Sequence, residues 1–148
     1  MKKLVIANRG AGQIGKSTAI KAVFDLLTRT GYNLLEREFQ RGDIKAIFEI
    51  SGIKVGIESQ GDPDSNMEKS MEEFVKKNCS IIVTACRTKG STYSKVADYL
   101  GKDESFDILW CAHYVYQVPG ADAIRDKLNE AYAQQVLELI EGRINGTI

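Results

Sequence analysis

The sequence has no excess of charge of either sign and no long apolar run. Its 20 basic and 20 acidic residues leave a formal net charge of zero. Nucleic acids and anionic membranes attract proteins with a basic excess, so the composition gives no indication of either partner. No apolar stretch reaches the length that spans a bilayer. The composition therefore gives no signal for nucleic acid, although a local basic surface is still possible, and we expect no association with a membrane.

Cysteine is also scarce. Cys79, Cys86 and Cys111 are odd in number and lack Cys-x-x-Cys spacing, which argues against a disulfide framework and against a zinc site. All three lie in or beside apolar runs, where reduced and buried cysteine is the usual state. The first apolar run begins almost at Met1, which leaves no room for a signal peptide. These features predict a cytoplasmic protein.

The clearest chemical signal lies near the start of the chain. Residues 4–7 form a short apolar run, typical of a strand that is covered on both faces. The stretch from Gly10 to Ser17 then matches Gly-x-x-x-x-Gly-Lys-[Ser/Thr], the Walker A pattern. Apolar residues follow at helical spacing as far as Gly31, a residue type that commonly ends helices. This context of strand and helix argues against a mere glycine-rich turn.

Each fixed position of the pattern has a chemical role. Gly10 and Gly15 allow backbone angles that a Cβ would forbid, so successive N–H groups can surround phosphate oxygens. The following helix adds the positive end of its dipole. Lys16 supplies a cation to the β- and γ-phosphates, and the Ser17 hydroxyl is a ligand for Mg²⁺. The predicted nucleotide-binding residues are Gly10, Ala11, Gly12, Gln13, Ile14, Gly15, Lys16, Ser17 and Thr18.

On this motif the chain resembles the P-loop NTPase superfamily. The resemblance is specific over residues 1–18 and only architectural beyond them. It implies a nucleotide-binding α/β domain that uses Mg²⁺, and it implies a contact between Thr18 and the α-phosphate.

The rest of the pattern alternates strands and helices. Residues 44–50 and 53–58 flank Ser51-Gly52 and predict an antiparallel hairpin whose register places apolar residues opposite one another. The full order is strand, glycine-rich loop, helix, strand, hairpin, helix, strand, helix, strand, helix. It predicts a single α/β domain over residues 1–148, a three-layer α/β/α sandwich whose mostly parallel sheet contains one antiparallel strand.

Capping residues predict where two helices begin. Ser65 and Glu68 have the spacing of a capping box, before a helix whose apolar stripe starts at Met67. Asp122 is expected to cap a long final helix that carries on one face Ile124, Leu128, Val136, Leu139 and Ile140. The tail after Gly142 is expected to be short and frayed.

A second candidate site follows the hairpin. Glu58 ends an apolar strand, a position where a Mg–nucleotide site usually has an acid. We expect Glu58 to be a metal ligand or to orient an attacking water, and the alternative is a strand-end surface carboxylate. The hairpin leading into Glu58-x-x-Gly61 is similar to the Asp-x-x-Gly element of Ras-like GTPases, whose loop is a switch. That similarity implies that Gln60 and Gly61 contact the γ-phosphate or position the water.

Further candidates lie near predicted strand ends. Arg87 is the best-placed cation for neutralising a transferring phosphoryl group, with a solvated surface arginine as the alternative. Asp43 is a general base or a substrate-binding acid if the protein is a kinase, and the alternative is a turn former. His113, the one histidine, is either a catalytic group or a packed side chain. Other side chains that could add a charge or stack on a base are Arg9, Arg41, Tyr93, Tyr114 and Tyr116.

The base and the reaction are left open by these motifs. The guanine-reading Asn-Lys-x-Asp element of GTPases has no counterpart, since the nearest stretch, Thr88-Lys89-Gly90-Ser91, lacks the acid. ATP is therefore favoured over GTP as the ligand. The first hypothesis is a small Mg-dependent ATPase with a conformationally responsive loop after Glu58. The others are a small-molecule kinase with an unknown acceptor, and a nucleotide-responsive binding protein with an unknown protein partner and little turnover.

Overall fold

The computed structural model of the chain describes residues 1–12, 14–102, 105–118 and 120–148. Within these residues, the chain forms six strands and four helices. The strands are β1 (Lys3–Arg9), β2 (Asn33–Gln40), β3 (Asp43–Ile50), β4 (Ile53–Glu58), β5 (Ile81–Cys86) and β6 (Phe106–Ala112). The helices are α1 (Lys16–Thr30), α2 (Met67–Lys76), α3 (Ser91–Ser94), which continues as a π-helical segment (Lys95–Leu100), and α4 (Ala121–Asn145).

The strands form one mixed sheet in the order β2-β3-β4-β5-β1-β6. β1 is parallel to β5 and β6, and β4 is parallel to β5. β3 is antiparallel to both of its neighbours, β2 and β4, so it alone among the described strands runs against the others. The predicted α/β class and its one antiparallel strand are confirmed. The carboxyl ends of β1, β4, β5 and β6 consequently meet at one edge of the sheet.

The β3–β4 hairpin has the predicted register. Ile50 pairs with Ile53, and the two pairs further along the hairpin are Phe48 with Val55 and Ala46 with Ile57. The turn residues Ser51 and Gly52 have φ values of 51° and 79°. Two positive φ angles are what a two-residue hairpin turn of the favoured twist requires.

Helices cover both faces of the sheet because its central strands are apolar on both sides. Alternate residues of β1 divide between two buried clusters. Ile6 lies with α1 and α4 on one face, and Val5 lies with α2 and the π-helical segment on the other. The site at the sheet edge therefore rests on a rigid, doubly covered core.

The helix boundaries differ from the predictions at three points. The capping box is wrong, since α2 begins after Asn66 and has no side-chain cap. α4 begins after Gly120, whose φ of 70° only glycine adopts without strain, so Asp122 lies in the first turn instead of capping it. α4 also continues past Gly142 to Asn145, and the Gly142 carbonyl accepts a hydrogen bond from the Thr147 N–H at 2.8 Å.

Candidate functional site

A glycine-rich loop (residues 10–15) connects β1 to α1 at the edge where the parallel strands end. Its first residue, Gly10, donates its N–H to the Cys86 carbonyl of β5 at 3.1 Å. On the other side, the His113 N–H donates to the Arg9 carbonyl at 2.9 Å. Both strands that neighbour β1 therefore hold the start of the loop in place.

The loop glycines differ in what a side chain would disturb. Gly15 has φ of 96°, and it is the N-cap residue of α1, as expected for a position that a Cβ would strain. Gly10 and Gly12 do not have positive φ, and what matters at these two positions is the space around an added Cβ. A Cβ on Gly10 would lie 2.5 Å from Ile14 Cδ1, and one on Gly12 would lie 2.4 Å from Arg87 Nη2. A Cβ at either position would therefore have to displace the flexible end of the Ile14 or the Arg87 side chain.

Lys16 is buried, with 5% of its surface exposed, and its ammonium group turns back into the loop. Its Nζ donates to the carbonyl oxygens of Gly10 at 3.0 Å and Ala11 at 2.6 Å. Burial lowers the pKa of Lys16, the Asp62 carboxylate opposes that shift, and the Arg87 guanidinium adds to it. The cation is therefore held at the loop by neutral carbonyls, without a carboxylate in direct contact among the described residues.

Ser17 is linked to an acid that the sequence pattern does not assign to it. Its Oγ donates to Asp43 Oδ1 and to the Ser59 carbonyl, the latter at 3.1 Å. Ser59 Oγ also donates to Asp43 Oδ1, at 2.8 Å, and accepts the Ile44 N–H at 2.8 Å. Because β3 is antiparallel, its first residue, Asp43, lies at the edge where the parallel strands end. The result is a set of oxygen ligands directly beside Ser17.

Glu58 lies farther from the glycine-rich loop than predicted, since β5 stands between β4 and β1. It is fully buried, and its carboxylate accepts hydrogen bonds from Ser70 Oγ of α2 and from the Gln60 N–H at 2.9 Å. Burial raises the pKa of Glu58 to about 7, although both hydrogen bonds oppose the shift. The structure therefore places Glu58 against α2, whereas Asp43 occupies the position beside Ser17.

The loop that follows Glu58, residues 59–65, faces the glycine-rich loop. Gly61 packs on the end of β5 so closely that a Cβ would lie 2.9 Å from the Ala85 carbonyl carbon. Gln60 turns its side chain toward α2, where Oε1 accepts the Asn66 N–H at 2.9 Å. This bond takes the place of the predicted capping box. The predicted contact of Gln60 with a phosphate or a water would require its side chain to leave Asn66.

Arg87 lies next to the glycine-rich loop, as predicted. Its guanidinium packs against Gly12, and its Nε donates to Asp62 Oδ1 of the 59–65 loop at 2.9 Å. Arg87 thus connects the two loops that face each other. A cavity of about 150 Å³ lies between these loops, and Lys16, Ser17 and Asp43 are among the residues that line it.

The remaining candidate residues lie in different environments. His113 packs beneath the loop, where Nδ1 lies 3.0 Å from Asn8 Nδ2, and burial lowers its pKa. Arg9 instead lies over the rings of Trp110 and Tyr93, at 5.2 and 5.9 Å from the ring centroids. Thr18 and Tyr114 are exposed, Tyr116 is half-buried, and Arg41 lies in the β2–β3 turn. Gln13 falls outside the described residues.

The donor set suits a hard cation with a polyphosphate. Hydroxyl, carboxylate and carbonyl oxygens are the ligands that Mg²⁺ prefers, and Mg²⁺ bound with a nucleotide commonly uses only one or two protein ligands. The residues present beside Ser17 fit this requirement. Within the described ranges there is no cluster of three or more His, Cys, Asp or Glu side chains that could hold a metal ion by themselves.

Comparison of the chain with protein-family models, with curated proteins and with solved structures gave no match. Across the part of the chain that the structure describes, no helix has the length and apolarity needed to cross a membrane.

Proposed function

We propose that this chain is a P-loop type α/β protein that binds a Mg–nucleoside triphosphate, ATP in preference to GTP, on the glycine-rich loop. The observation that carries the proposal is the buried Lys16 ammonium, which is held inside the loop by the carbonyls of Gly10 and Ala11. A phosphate is a stronger partner for this cation than two neutral carbonyls. The N-terminus of α1 adds further positive potential at the same point.

Ser17 and Asp43 would hold the Mg²⁺ ion. Their direct hydrogen bond brings the two oxygen ligands together, and Ser59 Oγ donates a second hydrogen bond to the same oxygen of Asp43. When bound, Mg²⁺ would neutralise charge on the β- and γ-phosphates. This assignment replaces Glu58 by Asp43 as the acidic ligand.

The reaction we propose is slow hydrolysis of the triphosphate, with the 59–65 loop responding to the nucleotide. Arg87 supplies a positive group beside the loop and links it to Asp62. Gly61 lies close to the cavity, where its N–H can serve as a donor to the terminal phosphate. The Gln60 side chain reaches an attacking water only after its Oε1 releases the Asn66 N–H. Hydrolysis is then coupled to movement at the start of α2.

A second candidate function is phosphoryl transfer to a small polar acceptor. A separate cavity of about 110 Å³ lies beyond Gln60, and its lining includes Lys45, Glu58, Lys69 and Glu73. Charged groups of both signs suit a small acceptor that carries hydroxyl and amino groups. Glu58, with a pKa of about 7, would be suited to accept the proton of the acceptor hydroxyl.

The proposal is tested by thermal unfolding of the protein with ATP, GTP, ADP or GDP, each with and without Mg²⁺. A ligand at about a hundredfold its Kd stabilises the folded state by about 2.7 kcal/mol, or roughly 5 to 10 °C for a chain of this size. We expect Mg–ATP to give the largest shift. Lys16→Ala should abolish it, whereas Lys76→Ala, at an exposed position on α2, should preserve it. A wild-type protein that no nucleotide stabilises would refute the proposal.

Measurement of phosphate release distinguishes hydrolysis of the triphosphate from phosphoryl transfer to an acceptor. An ATPase releases phosphate from Mg–ATP without an added acceptor, and Lys16→Ala eliminates this release. A kinase produces ADP rapidly only when the acceptor is supplied, so slow basal turnover that a panel of hydroxyl compounds accelerates would favour the second candidate.

A further inference from the structure

A larger cavity, of about 440 Å³, lies between β6 and α4, next to the glycine-rich loop. It falls in the size range of cavities that hold small organic ligands. It borders the loop through His113, whose Nε2 would lie 3.5 Å from a Cβ on Gly15, and through Ala19 in the second turn of α1. A ligand with its phosphates on the loop could therefore extend into this cavity.

The lining of this cavity is uncharged and mostly apolar, with several polar side chains among it. None of its described residues is Asp, Glu, Lys or Arg. Its polar side chains include Asn8, Asn129 and Gln135, which present amides, and His113, whose lowered pKa keeps the ring neutral at pH 7. Such a lining excludes further phosphates and suits a neutral heterocycle.

Tyr132 supplies a second, independent indication of a ligand. It lines the cavity with only 5% of its surface exposed. Its buried hydroxyl has no hydrogen-bond partner among the described residues. An unpartnered buried hydroxyl costs roughly 1 to 3 kcal/mol, which a ligand that offered a donor or an acceptor would recover.

We propose that this cavity is the site for the base of the nucleotide and that it selects adenine. The proposal rests on the proposed function, since it assumes that the phosphates occupy the glycine-rich loop. Adenine presents an amino donor beside a ring-nitrogen acceptor, a pattern that an Asn or Gln amide matches. Guanine presents two adjacent donors that a carboxylate satisfies best, and the described lining offers no carboxylate. The aromatic and aliphatic side chains of Tyr132 and Leu139 provide apolar surface for the ring.

The test compares Mg–ATP with Mg–tripolyphosphate, which has the phosphates but no base, by calorimetry. Gln135→Phe fills the mouth of the cavity from an exposed position of α4, and Gln134→Phe, the adjacent exposed residue that does not line it, is the control. We expect Gln135→Phe to weaken ATP by at least about tenfold, equal to roughly 1.4 kcal/mol, and to leave tripolyphosphate within about twofold. Gln134→Phe should leave both ligands unchanged.

Tyr132→Phe, which keeps the ring and removes only the hydroxyl, gives a second measurement with little risk to folding. It should weaken ATP several-fold without changing tripolyphosphate binding. The base site is refuted if both cavity variants bind ATP like wild type, or if they weaken ATP and tripolyphosphate equally. Failure of the wild-type protein to bind either ligand would instead refute the proposed function.

Discussion

Ser17 and Asp43 are 26 positions apart in the chain, and they are joined by a hydrogen bond in the structure. Asp43 has a turn on one side and a strand on the other, so the sequence around it is equally consistent with a turn former. Its role depends on β3 being antiparallel, which brings the start of that strand to the edge where the parallel strands end. The only indication in the sequence was an acid at the beginning of an antiparallel strand. Its position beside Ser17 could not be predicted without the order of the strands in the sheet.

Replacement of Asp43 tests its assignment as the metal ligand. We expect Asp43→Asn to weaken ATP binding in the presence of Mg²⁺ by at least about tenfold and to have little effect in EDTA. The measurement is calorimetry with and without Mg²⁺, and Asp25→Asn, at an exposed position on α1, is the control. If Glu58→Gln removed the Mg²⁺ dependence and Asp43→Asn preserved it, the original prediction for Glu58 would be correct.

The buried carboxyl group of Glu58 predicts that the stability of the folded protein depends on pH, even without a ligand. Its pKa is raised from 4.5 to about 7 in the folded protein by burial. Below pH 4.5 the carboxyl is protonated in both states, and as the pH rises toward 7 only the unfolded chain ionises freely, so the folded state loses stability. The loss is roughly 3 kcal/mol by pH 8, in proportion to the shift in pKa.

Urea unfolding of wild type and Glu58→Gln between pH 4.5 and 8 measures this loss. We expect Glu58→Gln to gain stability over wild type as the pH rises, because the amide cannot ionise and can still accept the Gln60 N–H. The lowered pKa of His113 makes stability rise with pH, opposite to the effect of Glu58. Because His113 is present in both proteins, its contribution cancels in the difference between them. A stability difference that stays constant over this range would contradict the environment assigned to Glu58.

At the scale of elements, the sequence was most informative where periodicity and turn length acted together. The β3–β4 hairpin was predicted with its register, because a two-residue turn leaves only one way to place apolar residues opposite each other. Helix starts were less predictable, since they depend on contacts from other elements. Gln60, for example, bonds to the Asn66 N–H at the start of α2, so the capping box that Ser65 and Glu68 suggest does not form.

The two halves of α4 differ in packing, and this difference should be measurable. Ile124 in the first half is 37% exposed, whereas Val136 and Ile140 in the second half are fully buried against the sheet. The sequence predicted one continuous apolar face for the whole helix, which holds only for the second half. Buried packing, more than helix propensity, protects backbone amides.

Hydrogen exchange of the two halves follows from this packing. We expect amides of residues 125–128 to exchange at least about tenfold faster than those of residues 133–140, since opening of the first half breaks few buried contacts. Mass spectrometry of peptides from the two halves gives the comparison within one sample. Equal protection in both halves would indicate that another surface covers the start of α4.

At the scale of the whole molecule, the order of strands decides which residues form the site. The parallel-running strands β1, β4, β5 and β6 were predicted from the alternation of the sequence, and with them the edge where Lys16, Arg87 and His113 gather. The insertion of β5 between β1 and β4 was not predictable from periodicity. Neighbouring strands are about 4.8 Å apart, so this order places β4, and with it Glu58, roughly 10 Å from β1.

Binding of the nucleotide on the glycine-rich loop is tested most directly by a crystal structure of the protein with Mg²⁺ and a non-hydrolysable ATP analogue. We expect density for the triphosphate against the backbone of residues 10–17, with Lys16 Nζ moved from the Gly10 and Ala11 carbonyls onto the phosphates and Mg²⁺ between Ser17 and Asp43. Triphosphate density at any other surface, with Lys16 still bonded to those two carbonyls, would contradict it.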